Sequence, residues 1–277
     1  SFLRHPYLSF QAMKNRNVIR ATGVYLVFFT LTAPEHVLES SYAAGILGFD
    51  QTHLIDLNGY VLSGVAAGCA FTYFAFALRK WRYKTMTAIA FGLISLYLAC
   101  FYFFADYGLE KEMFFVPLFF RGAASVMISI VFLTSIVQSG LPFQTFPQAL
   151  TINGFTGAVM GATLAPAVVG EFFKRTMAKN AALLSADITG ADPETVRAPL
   201  GQLYGMVQTQ ALAVSVKEIY GWLLIVALVS FLAILVGYST VRPFAVFPRW
   251  STIRQIIKRM ADAVPNRRNR FCKKVPH

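Results

Sequence analysis

Six long apolar stretches divide this chain, and the segments around them alternate in charge. A basic lead-in is followed by acidic, basic and acidic connections, then an uncharged turn, a long polar connection of both signs and a basic tail. Each stretch approaches the ~20 apolar residues needed to cross a hydrocarbon layer of ~30 Å. The alternation also orients the stretches, because cytoplasmic segments collect Lys and Arg. With both termini in the cytoplasm, 18 of the 25 Lys and Arg fall on that side, and 12 of the 13 acidic residues fall outside or at outer span ends. The apolar runs are continuous rather than alternating, which excludes a β-barrel. The expected fold is an all-α integral membrane bundle of six transmembrane helices.

The spans are expected at about 18–42, 57–78, 85–104, 113–137, 148–173 and 219–241. Residues 1–17 form a cytoplasmic lead-in, 174–216 a long outer connection and 242–277 a basic cytoplasmic tail. With 56% hydrophobic and 14% charged residues, the chain lacks the polar surface of a soluble domain of its size. Its formal charge of +12 does not indicate a nucleic-acid partner, since ten of the 25 Lys and Arg lie from Arg242 onward, opposed by Asp262 alone. Such a tail orients the protein and contacts anionic lipid. Cys69, Cys100 and Cys272 are far apart and suggest neither a disulfide framework nor a metal site. His36 and His53 have acidic neighbours, but their spacing matches no metal cage. No HExxH, G-x-S-x-G or phosphate-cradling glycine loop is present, so neither an enzyme nor a cofactor is expected.

Polar groups in hydrocarbon are costly and normally face a cavity or a partner. The third and sixth spans carry no charge and no amide, and are expected to be lipid-facing outer helices. The fourth carries Arg121, eight residues into the span and ~12 Å below the outer surface at 1.5 Å per residue. Ser125, Ser129 and Ser135 share its face within about 120°. Arg121 therefore lines a cavity, or it snorkels outward or pairs structurally with an acid such as Glu35; the serines favour the cavity. The fifth span has a matching stripe in Asn153, Thr156 and Thr163. Beside that stripe runs a small-residue face of Gly154, Gly157, Gly161 and Ala165, suited to close helix approach. Pro166 should bend this helix. Glu35 is either a proton-coupling group, if buried, or an acid at the outer interface.

Six spans with outer third and sixth helices resemble one half of a major facilitator superfamily transporter, in which each half is an inverted repeat of three plus three helices. The stretch LRKWRYKTM from Leu78 is similar to that family's basic loop, although it lacks the family's Gly and Asp. The fourth-to-fifth stretch, from Phe119 to Pro166, resembles the carboxy-terminal half of the fourteen-helix drug:proton antiporters. It includes Ser139-Gly140-Leu141-Pro142 between the helices and Asn153-Gly154-Phe155 opening a glycine-rich helix. Gln208-Thr209-Gln210 in the outer connection and Lys217-Glu218-Ile219 before the last span also fit that subfamily.

This resemblance covers about residues 1–241 and implies a carboxy-terminal portion of a transporter roughly twice as long, its missing amino-terminal half being the partner. Proton-coupled export of small amphipathic or toxic compounds by alternating access across a bacterial inner membrane is what it implies for function. An uptake carrier for a nutrient and a non-transporting membrane scaffold are the alternatives. The residues expected to line the substrate cavity are Arg121, Ser125, Ser129, Asn153 and Thr156, with Tyr25 and Tyr73 adding apolar contact and Glu35 coupling to protons.

Overall fold

A computed structural model describes residues 16–49, 51–104, 111–137, 146–189 and 200–237. The expected lead-in, the uncharged turn from Ser139 and the basic tail lie almost wholly outside the described residues. All regular structure within them is helical, with no strand. The α-helices are α1 (Arg16–Thr32), α2 (Ser40–Gly45), α3 (Gln51–Tyr73), α4 (Tyr83–Phe104), α5 (Phe115–Val137), α6 (Phe146–Phe155), α7 (Ala165–Thr189) and α8 (Leu200–Gly237). π-helical segments at Glu35–Glu39, Phe74–Leu78 and Thr156–Leu164 join or extend them.

Among the described residues, five helices are long and apolar enough to cross a membrane: Ile55–Phe76, Tyr83–Phe104, Glu112–Val137, Phe146–Ala186 and Tyr204–Val236. The chain has the features of a multi-pass membrane protein. The first expected span is not among the five, for a local reason. Pro34 has no N–H to donate, so α1 stops at Thr32 and the path continues through the π turn Glu35–Glu39 into α2. Thr32 Oγ1 donates to the carbonyls of Phe28 and Phe29, occupying acceptors in the turn ahead of Pro34.

Two further expectations are corrected. The connection placed at 174–216 is helical at both ends, since α7 runs to Thr189 and α8 begins at Leu200. The two helices are tied there by Asn180 Nδ2 donating to Ser215 Oγ at 3.0 Å and Glu218 Oε2 at 3.4 Å, with Lys179 Nζ 3.8 Å from Glu218. The third span, α4, is not an outer helix. It lies between α5 and α8 and buries Met86, Phe91, Ile94, Tyr97 and Leu98. Lack of charge did not distinguish the two cases, because lipid and a neighbouring helix are equally apolar surroundings. The sixth, α8, does expose an apolar face, with Trp222, Val229, Leu232 and Val236 outward.

The closest crossing is α3 on α5, and glycine makes it possible. A Cβ at Gly64 would collide with the Phe119 backbone, one at Gly122 with the Val61 carbonyl, and one at Gly68 would sit 2.8 Å from the Ala123 carbonyl oxygen. Gly64 and Gly68 form a G-x-x-x-G pair, the small-residue spacing that lets two spans touch along their backbones. Ahead of Pro166 the helix widens into nine π-helical residues, Thr156–Leu164. Proline removes a donor to the preceding turn, and Gly157 and Gly161 leave room for the wider coil. Replacement Gly64→Val forces the α3 and α5 backbones apart and lowers stability by about 1–3 kcal/mol. Gly23→Ala, where a Cβ meets nothing within 4 Å, leaves it unchanged or slightly raised; thermal unfolding in detergent, followed by intrinsic fluorescence, compares the two.

Candidate functional site

Arg121 projects from the second turn of α5 and is almost fully buried, with 5% of its side chain exposed. A lone guanidinium there would cost several kcal/mol, so its partners define the site. They come from the π turn after α1. Nη1 donates to Glu39 Oε2, and Nη2 lies 3.3 Å from Glu35 Oε1. The hydroxyl of Tyr97, from the middle of α4, donates to Glu39 Oε1 at 2.6 Å. Glu39 is thus held from both oxygens and is 14% exposed at its side chain, whereas Glu35 is 38% exposed.

The π turn explains why both acids reach one arginine. Four residues apart on one helical face, Glu35 and Glu39 point to the same side, and the path from Pro34 sets that side against α5. Behind the cluster, Tyr97 meets Tyr220 edge to face at 6.2 Å, and Phe101 stacks on Tyr220 at 4.9 Å. This aromatic wall from α4 and α8 keeps the Glu39 end of the cluster dry.

In front of the cluster is a cavity of about 170 Å³ between α1, α3, α5 and the π segment Thr156–Leu164. Glu35, Arg121 and Ser125 give it polar lining, and Phe28, Phe29 and Val61 are among its apolar walls. Gly157 and Gly161 close the far side, where any side chain at Gly161 would overlap the Phe29 ring.

The cavity therefore brings together Arg121, Ser125 and Glu35, with the Arg121–Glu35 ion pair as part of its wall. Ser129 and Thr156 return their hydroxyls to their own helices, donating to Ser125 O and Ile152 O at 2.8 Å each. Tyr25 packs deeper along α1, stacked on Phe132 at 4.4 Å and edge-on to Phe29 at 4.5 Å. Tyr73 is exposed on the last turn of α3. The side chains of Asn153, His36 and His53 lie outside the described residues. Among the described residues no group of three or more His, Cys, Asp or Glu could hold a metal ion.

Glu39 and Tyr97 are the residues that sequence reasoning missed. Glu39 lies near the outer end of the expected first span without standing out there, and Tyr97 lies on a helix expected to face lipid. The available signal was the Glu35/Glu39 spacing, which offers two acids on one face to the single deep arginine. No family model matches this chain, and no curated protein matches it in sequence.

Removing Glu39 leaves Arg121 buried with one carboxylate only. Glu39→Gln is expected to destabilise the bundle by about 3 kcal/mol, and Tyr97→Phe by about 2 kcal/mol through loss of a hydrogen bond to a charged group. The double variant should fall short of the sum, because both changes act on the same carboxylate. A double-mutant cycle read by thermal unfolding tests this coupling.

Proposed function

We propose that the chain is the carboxy-terminal six-helix bundle of a major facilitator-type transporter, and that it exports small amphipathic or toxic compounds in exchange for protons by alternating access. The observation that carries this reading is the Arg121 cavity. It lies at the meeting of the first, second, fourth and fifth helical paths, which is where a rocking-bundle transporter of this class needs its midplane site. The path from Arg16 through Glu39 to Gly45 serves as the remaining crossing, about 45 Å of helix at 1.5 Å per residue.

The uncovered surfaces support the same reading. On α3, Ile55, Leu62 and Tyr73 are exposed, and on the fifth path Phe155, Leu164 and Val168 are exposed. Both paths border the cavity, so a second bundle applied there would complete its wall. In this arrangement the chain sits in a bacterial inner membrane with both termini cytoplasmic, as the distribution of Lys and Arg favours.

Glu35 is the proton-exchanging carboxylate in this scheme. It reaches the cavity, while Glu39 is held by both Arg121 and Tyr97. Substituting Ser125→Leu fills the cavity without touching the ion cluster, and is expected to reduce transport at least tenfold while membrane insertion is retained. The check is the susceptibility of cells, with and without the protein, to a panel of amphipathic toxic compounds. Unchanged susceptibility to all of them, together with lost uptake of a metabolite, overturns export.

A further inference from the structure

A buried arginine beside a cavity suggests an anionic ligand, yet the atoms around Arg121 point the other way. Its Nη1 is engaged by Glu39 and its Nη2 faces Glu35, so one guanidinium stands against two carboxylates. Glu39 is further committed to Tyr97 through its second oxygen. With 5% of its side chain exposed, Arg121 offers little surface to a ligand. Glu35, at 38%, is the most accessible of the three and lines the cavity. No other Lys, Arg, Asp or Glu is among the lining residues. An entering anion would have to displace a carboxylate from Arg121 while facing the one left in excess. An entering cation meets that excess carboxylate directly.

The apolar half of the lining fits the same ligand. Phe28 and Phe29 line the cavity, and an aromatic face attracts an ammonium group more strongly where water is excluded. At about 170 Å³ the space is smaller than the ~300–1,000 Å³ of drug-sized sites, which sets a limit of roughly one ring and a short chain. We propose that the Arg121 cavity takes a small organic cation, an ammonium group on an aromatic or compact apolar body, and that Glu35 is its counter-ion. This rests on the cavity being the substrate site, and adds the charge and size of the occupant.

Two probes of nearly equal size and opposite charge, 2-phenylethylammonium and 3-phenylpropionate, test it by calorimetric titration of the full chain in nanodiscs. The ammonium is expected to bind at least tenfold more tightly than the carboxylate. Glu35→Gln should weaken ammonium binding at least tenfold, as loss of a close charge pair does, and Glu35→Asp should restore most of it. Because Arg121 keeps Glu39 in both variants, the core stays charge-paired. Tighter binding of 3-phenylpropionate, or ammonium binding unaltered by Glu35→Gln, overturns the charge assignment and leaves the cavity reading standing. Binding of neither probe overturns the proposal. Labelling of Ser125→Cys by a small water-soluble methanethiosulfonate then shows whether the cavity reading falls with it, since an unreactive cysteine means that no aqueous cavity reaches Ser125.

Discussion

The ionic cluster at Arg121 is the constraint to which the surrounding structure conforms. A guanidinium this deep in an apolar bundle needs compensating charge from another helix, and the segment after Pro34 brings two acids within reach. That requirement ties the π turn to α5 through Arg121, while the turn itself packs on α7. It also pulls the centre of α4 inward, since Tyr97 must reach the second oxygen of Glu39. The glycines on α3 and α5 serve the same end from the other side, letting two backbones approach where side chains would hold them apart.

A sharp division separates polar groups that meet another helix from those that turn back on their own. Most Ser and Thr hydroxyls in the spans donate to a carbonyl three or four residues earlier, as Thr72, Thr87, Ser95 and Thr134 do. They satisfy themselves locally and leave the spans apolar to their neighbours. Among the described residues, two places join helices through polar side chains, the Arg121 cluster and the Asn180–Ser215–Glu218 contact of α7 with α8. The rest of the core is apolar, built from aromatic rings and from aliphatic side chains such as Met86, Ile94, Leu98 and Ile128.

Helical class and membrane character were legible in the sequence because hydrocarbon thickness acts on every residue of a span at once. Arg121 was legible for the same reason, being the one strong violation of that pattern in the fourth stretch. Glu39 was obscured by its position just past Pro34, where the apolar run is interrupted although the helix continues through a π turn. The burial of α4 left no compositional trace, since a neighbouring helix and lipid are equally apolar surroundings. The helical ends of the long connection were hidden by their polarity. Residues 174–189 read as a loop because they are polar, although α7 keeps coiling to Thr189.

The π segment at Thr156–Leu164 gives the long fifth path a lever. Beyond it, α7 is a rigid arm of 25 residues, about 37 Å long at 1.5 Å per residue. A change of tilt of ~10° where the wide coil meets Pro166 would carry the Thr189 end through about 6 Å, whereas the walls beside Gly157 and Gly161 would shift by only about 1 Å. Since Asn180 and Lys179 couple this arm to α8, the two would swing as a pair. A displacement no larger than a methyl group beside Arg121 would thus be magnified several-fold at the far tip of the helices.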